Sequence, residues 1–289
     1  MFSRRFKFLG WLAVYSAVYS PLAWSQLTVL DSEQKRYSIE NKKINESSGL
    51  ACSSRNKKHL WTHNDSGHMP IIYAMDNKGK DLATYHLEDI ESNDWEDMDA
   101  FEYQGMHYLL IADTGDNFKL RFNYRINIIN EPELKDNNRS AVSPAWSFSY
   151  QFEDNASFDV ESVAVDVSRE KIILLTKRTP HALMFELPLK PDDSEKIQLA
   201  VKTGEFKDII KPSALDISAD GQLMSINTYH RIHRFIRDSL EDDWVYDYSL
   251  SYKKLFQPEA MCLSKNKKHY YVSSEKKPYL IKIKTKQEN

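Results

Sequence analysis

Short apolar stretches alternate with polar residues along almost the whole chain, and this pattern favours strands over helices. Ile172–Leu175 and Tyr279–Ile283 are typical, since branched aliphatic and aromatic side chains fill them. Clusters of Asp, Asn, Gly and Lys separate the stretches, as at Asp113–Asn117 and Lys265–Lys268. Many short strands divided by turn residues predict an all-β fold, which is a sandwich, a barrel or a propeller.

A repeated motif distinguishes among these architectures. In each copy a polar residue, often glutamate, precedes small and apolar residues that lead into a strand. The copies are Ser48–Ala51, Glu96–Asp99, Glu161–Ala164, Ser213–Asp216 and Glu259–Cys262. They begin roughly 48, 65, 52 and 46 residues apart, close to the length of a four-stranded propeller blade.

We therefore predict that residues 26–289 form a single domain, a β-propeller with five blades. The fifth motif is followed by only three strands, so Leu27–Ile39 is expected to supply the outer strand of that blade. Closure of the ring by both termini leaves no sheet edge exposed. A sixth blade is the alternative if the long second interval, which includes an extended loop from Glu131 to Pro144, contains one. The strands predicted for the third and fourth blades are 163–167, 171–176, 182–187, 197–202, 215–218, 223–227, 232–237 and 244–248.

The two cysteines occupy matching places in this scheme. Cys52 lies in the innermost predicted strand of the first blade and Cys262 in that of the last. An even number of cysteines in an oxidising compartment favours a disulfide. A bond here closes a loop of about 210 residues, worth about 4–5 kcal/mol in the chain-entropy model. Two buried thiols are the alternative.

The N-terminal segment has the pattern of an export signal. Arg4, Arg5 and Lys7 precede an apolar run of about sixteen residues, short of the roughly twenty that a membrane span needs. Ala23-Trp24-Ser25 then supplies small residues where signal peptidase requires them. We predict that residues 1–25 are a signal peptide and that the chain is periplasmic or secreted, with no membrane span after cleavage; an uncleaved anchor is the alternative.

The charge distribution narrows the choice of partners. The formal net charge is −3, and loss of the three basic residues of the predicted signal peptide leaves about −6. The basic residues are scattered and form no stripe, so nucleic acid is not expected to bind. We expect a small anionic molecule, a sugar or an envelope protein as the partner.

Propeller geometry brings a set of charged loops to one face. Loops that enter inner strands and loops that leave second strands open on the same side of the ring. Carboxylates that meet there repel one another unless a cation, a proton or a basic partner intervenes, and Ca²⁺ accepts six to eight oxygen ligands. The predicted metal ligands are Asp65, Glu96, Asp113, Asp116, Glu161 and Glu259. The predicted substrate-binding residues are His63, Lys177, Arg178 and Tyr229, and the candidates for catalysis are Glu161 and His230. The alternative for the charged residues is structural ion pairing. For Asp113–Asn117 it is also a tight turn whose Asp and Asn side chains bond their own backbone, and for His63 a surface or hydrogen-bonded histidine.

Several other site motifs do not occur. There is no zinc-ligand spacing, no nucleophile elbow and no phosphate-binding glycine loop, so we expect no nucleotide or organic cofactor. Asp113–Asn117 begins like a calcium loop, but Tyr124 stands at the twelfth position where an EF-hand has glutamate.

Several motifs, taken in order, resemble exported bacterial β-propellers of unassigned activity. They are His63–Gly67, Asp94–Asp97, Ala112–Asn117, Glu131-Pro132 and Glu161-Ser162, and the similarity continues weakly to Glu259. The acidic face is more distantly similar to that of β-propeller phytases, phytase-like esterases and gluconolactonase-type propellers. That resemblance implies a divalent ion, such as Ca²⁺, at the face of the ring and hydrolysis of phosphate esters or lactones. The chain departs from it at Ser213, where a glutamate is expected, and in lacking a full phytase set of calcium and phosphate ligands.

Three functions follow as hypotheses. The first is an exported binding protein for a small molecule, an anion or a partner, through a polar, metal-binding channel mouth. The second is a calcium-dependent hydrolase of phosphate esters or lactones. The third is a scaffold in which the charged face serves only structural ion pairing.

Overall fold

The computed structural model describes residues 28–134, 141–253, 256–276 and 279–285, and its regular structure is almost entirely strand. The predicted signal peptide lies outside these residues. Two short 3₁₀ turns occur, at Glu153–Asn155 and Val167–Arg169. The strands are β1 (Val29–Asp31), β2 (Gln34–Ser38), β3 (Ser47–Cys52), β4 (His59–Asn64), β5 (Ile71–Asp76), β6 (Asp81–His86), β7 (Trp95–Tyr103), β8 (Met106–Asp113), β9 (Tyr124–Asn130), β10 (Pro144–Phe152), β11 (Val160–Asp166), β12 (Lys171–Thr176), β13 (Ala182–Pro188), β14 (Gln198–Phe206), β15 (Ala214–Ile217), β16 (Leu223–Asn227), β17 (Arg231–Ile236), β18 (Val245–Ser251), β19 (Pro258–Leu263), β20 (His269–Ser274) and β21 (Tyr279–Lys284).

The strands form antiparallel meanders, and the all-β prediction is confirmed. The meanders are β3–β6, β7–β10, β11–β14, β15–β18 and β19–β21, the last of which takes β2 as its fourth strand. β2 lies within the segment 27–39 that was expected to pair there, and it runs antiparallel to β21. β1 adds to β18 in parallel. A short parallel pairing of β10 with β14 joins the second and third meanders into one eight-stranded sheet.

The first strand of each meander packs against the first strands of its neighbours. We call β3, β7, β11, β15 and β19 the inner strands. They contact one another in that order, and β19 also contacts β3. Because β7 and β11 are the two ends of the eight-stranded sheet, their contact makes that sheet nearly closed.

The observed strand bounds agree well with the predicted ones where apolar residues define the strand. β12 and β16 have the predicted bounds, whereas β14 continues to Phe206 and not to Lys202. The extra residues of β14 are Thr203, Gly204, Glu205 and Phe206, and none of them is buried, so they do not extend the apolar pattern that predicts a strand. Between β9 and β10, the described part of the loop adds only an isolated bridge from Val142 to Leu87.

The hydrophobic core lies between adjacent meanders. Residues alternate along each strand, so one row of side chains packs on the preceding meander and the other row on the following one. Val163 of β11 packs with Tyr124, Phe152 and Phe185, while Ala164 packs on the opposite side with Leu215. The Phe152 and Phe185 ring centroids are 4.8 Å apart in an edge-to-face contact.

A disulfide joins the first and last inner strands. Cys52 of β3 and Cys262 of β19 have Cα atoms 5.5 Å apart and are 210 residues apart in sequence. Of the two alternatives, the structure therefore has the disulfide and not two free thiols. In the described residues, no helix is long and apolar enough to span a bilayer.

Candidate functional site

A β-bulge near the start of the inner strands sets the direction of the motif residues. The pairing register shifts at the beginning of β3, β7, β11 and β19, and the extra residues are Ser48, Glu96, Glu161 and Glu259. A bulge re-aims the side chain of its extra residue away from the regular faces of the sheet. This explains why the repeated motif begins with a polar residue before apolar ones. We call the end of the inner strands where these residues lie the mouth.

The loops that leave the second strands reach the same end. They follow β4, β8, β12, β16 and β20, and they bring Asp65, Asp113–Asn117, Lys177, Tyr229 and Glu275 toward the bulge residues. The structure therefore brings together most of the residues that were expected to share one face.

Two groups of carboxylates meet at the mouth and share Glu96. In the first group, Asp65, Asp94 and Glu96 each contribute one carboxylate oxygen, and these three oxygens lie within 4.8 Å of one another. In the second group, the same is true of Glu96, Asp159 and Glu161. Such oxygen-rich groups suit hard divalent cations.

Glu96 differs from the other members of these groups. Its residue surface is 7% exposed, and no hydrogen bond or ion pair from the described residues reaches its carboxylate. Burial raises the pKa of Glu96 well above its usual value, and Asp65 and Asp94 raise it further. Burial, with Asp65 adding to it, raises the pKa of Asp94 to about 6. Lys177 offsets this rise in the pKa of Glu96 only in part, so a proton or a bound cation at this carboxylate is favoured.

The space around these carboxylates depends on a glycine. A Cβ atom at Gly115 would overlap the Glu96 Oε1 and Asp94 Oδ2 atoms. Gly115 N donates to the Asp94 backbone oxygen over 3.2 Å, which holds the two loops together at this point. The close approach explains why a residue without a side chain stands here.

Lys177 occupies the other side of the mouth. Its Nζ donates to Glu161 Oε2 and, over 3.1 Å, to Glu259 Oε2. The Tyr229 hydroxyl donates to Glu259 Oε1 over 3.3 Å, and its ring centroid is 5.6 Å from Lys177 Nζ. Burial lowers the pKa of Lys177, but Glu259, Tyr229 and Glu96 outweigh it and the pKa is raised. Lys177 is therefore a fixed buried cation.

Arg178 is the more accessible base of the site. Its Nε atom is 2.6 Å from Asp159 Oδ2, and its Nη2 donates to the side-chain oxygen of Asn117. The Arg178 side chain is nearly half exposed, whereas the Lys177 side chain is almost fully buried. An anion that approaches from solvent therefore meets Arg178 before Lys177.

Asp113 and Asp116, both predicted metal ligands, have structural partners and lie in neither carboxylate group. Asp113 accepts from the backbone of Asn93 and Asp94 and pairs with Arg121 over 2.8 Å. Asp116 accepts from Leu120 N and Arg121 N and from the Tyr124 hydroxyl over 2.9 Å. These carboxylates hold the loops of the mouth in place.

The predicted histidines do not join the carboxylates. His63 is fully buried behind Gly49 and against Trp95, with ring centroids 5.3 Å apart, and burial lowers its pKa to about 4. His230 is exposed, and in the described residues its ring makes no hydrogen bond or ion pair with the mouth acids. Neither ring lines the carboxylate groups.

Two residues of the carboxylate groups were missing from the predicted ligands. Asp94 and Asp159 each stand two positions before a bulge glutamate, in Asp94-Trp95-Glu96 and Asp159-Val160-Glu161. The repeated Asp-x-Glu spacing is a sequence signal that would have identified both.

In two of the five repeated motifs the first residue is serine, and each of these serines binds the neighbouring inner strand. Ser48 Oγ donates to the Glu96 backbone oxygen over 2.9 Å, and Ser213 Oγ donates to the Pro258 backbone oxygen over 2.8 Å. These serines tie adjacent inner strands together.

Comparison with known proteins gives little further guidance. No protein-family model and no curated protein matches the chain. Hydrazine synthase of Kuenenia stuttgartiensis aligns over 83% of this chain and 71% of its own, at 11% identity and a TM-score of 0.44. A functionally unknown protein from Desulfotomaculum acetoxidans aligns over 79% of this chain and 65% of its own, at 13% identity and a TM-score of 0.43. At these scores neither likeness carries an argument, and the resemblance to phytase-type or gluconolactonase-type propellers stays a prediction.

Proposed function

We propose that the five meanders are the blades of a closed propeller and that its mouth binds a divalent cation, Ca²⁺, together with an anionic ligand. The observation that carries the proposal is the buried Glu96 carboxylate, which lacks a partner in the described residues and is shared by both carboxylate groups. The ring of contacts among the inner strands supports the architecture. Because residues 1–25 are predicted to be a signal peptide, we propose that the protein is exported.

The charges at the mouth support a cation. The acids Asp65, Asp94, Glu96, Asp159, Glu161 and Glu259 outnumber the two bases that contact them, Lys177 and Arg178. Lys177 contacts Glu161 and Glu259, and Arg178 contacts Asp159. Glu96 forms an ion pair with neither base in the described residues, and Lys177 only partly offsets its raised pKa. A bound Ca²⁺ would supply the missing positive charge and an open coordination position for an oxygen anion.

The bases support an anionic ligand. An anion on the cation would lie beside the half-exposed guanidinium of Arg178, whose planar donors suit carboxylate and phosphate groups. We favour binding over catalysis because the candidate base Glu161 is already engaged with Lys177.

Calcium titration of the purified chain by isothermal calorimetry tests the cation site. We expect saturable binding that Glu96→Gln weakens by at least about tenfold, since even indirect partners of metal ligands contribute that much. Asp99→Asn is the matched control, because Asp99 lies at the other end of the inner strands and outside both carboxylate groups. Binding of equal strength in all three chains, or no binding, contradicts the proposal.

A metal-dependent hydrolase is the second candidate, and the proximity of Lys177 and Arg178 to the carboxylates favours it. Calcium-dependent turnover of a phosphate ester or a lactone that Glu96→Gln and Glu161→Gln abolish would establish it. A scaffold predicts instead that every one of these variants changes stability alone.

A further inference from the structure

The loop between β8 and β9 exposes three large apolar side chains beside the mouth. Phe118, Leu120 and Phe122 have 84%, 75% and 72% of their surfaces accessible to water. Three large apolar side chains exposed on one short loop offer apolar surface to a ligand or a partner.

The backbone of this loop is nevertheless firmly held. The Asp116 carboxylate accepts from Leu120 N over 2.8 Å and from Arg121 N over 3.0 Å. The Arg121 guanidinium donates to the Gly115 oxygen and pairs with Asp113. The apolar side chains are therefore exposed on a loop whose backbone is held in place by hydrogen bonds and an ion pair.

The same loop is joined to the candidate cation site. The Asn117 side chain accepts from Arg178, whose Nε contacts Asp159 of the second carboxylate group. Lys119 Nζ donates to the backbone oxygen of Arg178 over 3.4 Å. Phe118 stands between these two contacts, so an apolar surface begins one residue from the basic edge of the site.

We propose that the anion bound at the mouth carries an alkyl or acyl chain. This inference rests on the proposed function of the site. The anionic head group meets the cation and Arg178, and the hydrocarbon chain packs on Phe118, Leu120 and Phe122, an arrangement that removes apolar surface of both partners from water.

The charge of the face favours a single amphiphilic molecule over a bilayer. The loop from β6 to β7 exposes Glu88, Asp89 and Glu91 at the end of the molecule where β7 begins. Broad contact of this face with anionic lipid would bring these acids against like charges. A single amphiphile would contact only the short stretch of surface between Arg178 and Phe118.

Alkyl phosphates of increasing chain length test the inference by calorimetry with saturating Ca²⁺. Methyl, butyl and octyl phosphate are used below the concentrations at which micelles form. We expect octyl phosphate to bind at least about tenfold more tightly than butyl phosphate, because each buried methylene adds to affinity.

Two triple variants localise the effect. Phe118→Ser with Leu120→Ser and Phe122→Ser is expected to remove the advantage of octyl phosphate and leave methyl phosphate and calcium binding unchanged. The matched control is Ile197→Ser with Leu199→Ser and Val201→Ser, which removes three exposed apolar side chains at β14 and the loop before it. The control is expected to behave as the wild-type chain.

The outcomes separate the two proposals. Absence of calcium binding overturns the proposed function. Calcium binding without binding of any alkyl phosphate overturns the alkyl-chain inference and the anionic ligand of the proposed function, and leaves the cation site standing. Calcium binding with equal affinity for all chain lengths, or with no effect of the loop variant, overturns the alkyl-chain inference alone. Binding to vesicles of anionic phospholipid, but not to monomeric octyl phosphate, also overturns it and assigns the loop to a bilayer.

Discussion

The buried carboxylates at the two ends of the inner strands have opposite surroundings. At the mouth, Glu96 receives no donor from the described residues. Toward the far end, Asp97 of β7 accepts from Val163 N of β11 over 2.9 Å and from Leu215 N of β15 over 3.2 Å. Further along, Asp99 and Asp216 each accept a backbone N–H of a neighbouring inner strand, at 2.8 Å.

This contrast separates a structural role from a ligand-binding one. The edge of an inner strand presents N–H groups that the sheet does not pair, and burial without a partner would be costly. Asp97, Asp99 and Asp216 satisfy these groups and link adjacent meanders. Glu96 satisfies none, so burial of an acid is informative only together with its partners.

The far end also contains a cavity, of about 470 Å³. Asp99 and Asp216 line it between apolar walls that include Phe101 and Ile217. Its volume is in the range of ligand sites. Its buried acids, however, are already bonded to backbone, whereas the mouth has an acid that is not. Cavity volume alone therefore does not identify a candidate cation site.

The largest effect is expected at the far end, from loss of the disulfide. Cys52→Ser with Cys262→Ser removes a crosslink over 210 residues and should lower the free energy of unfolding by about 4–5 kcal/mol. Urea denaturation with circular dichroism measures it. The wild-type chain in reductant should lose a similar amount, and reductant should not change the double variant. A loss below about 1 kcal/mol would contradict the role of the bond in joining β3 and β19.

Adjacent residues give the sharpest contrast between the two kinds of acid. Asp97→Ala leaves the N–H groups of Val163 and Leu215 without an acceptor and should destabilise the chain by about 2–4 kcal/mol. Glu96→Gln, measured with a chelator present, should leave stability unchanged or raise it, since it replaces a buried carboxyl group that accepts no hydrogen bond from the described residues. If Glu96→Gln without cation destabilises the chain as much as Asp97→Ala, the two carboxylates do not differ as we infer.

The pH dependence of calcium stabilisation is a further test of the mouth. The pKa of Asp94 is raised to about 6, so between pH 4 and 6 the folded chain binds more protons there than the unfolded chain. Without cation, this group contributes stability at low pH that is lost as the pH rises through about 6. Calcium replaces the proton, so the gain in Tm on adding calcium should grow from pH 4 to 7. Scanning fluorimetry measures it, and an Asp94→Asn chain should show a smaller increase. A gain that is independent of pH would place calcium elsewhere.

The smallest effect is expected from crowding the carboxylates. Gly115→Ala introduces a methyl group where Glu96 Oε1 and Asp94 Oδ2 lie, so both side chains must shift. We expect calcium affinity to fall several-fold, with a change in Tm of at most a few degrees. Gly204→Ala is the control, since its added methyl group meets only the flexible end of Met184. Equal calcium affinity in the two variants would mean that the Gly115 gap is not part of the cation site.

The site shows which local signals can be read without a structure. The polar first residue of each repeated motif could be identified from the sequence because it precedes small and apolar residues. In the structure, two of these first residues, Glu96 and Glu161, are the extra residues of β-bulges. Asp113 and Asp116 were also predicted as metal ligands, and the structure places them in hydrogen bonds of the mouth loops and outside both carboxylate groups. Whether a loop carboxylate faces a ligand or the backbone N–H groups of its own turn depends on local geometry that composition does not encode.

The sequence by itself determined the all-β class, most strand positions and the end of the strands at which the charged loops meet. These features follow from apolar periodicity and repeat spacing, which act within a few tens of residues. Only the tertiary structure decided the Cys52–Cys262 bond, the pairing of Lys177 with Glu161 and Glu259, and the isolation of Glu96. Each of these depends on distances between residues far apart in the chain, and partners at such distances are set by how the meanders pack.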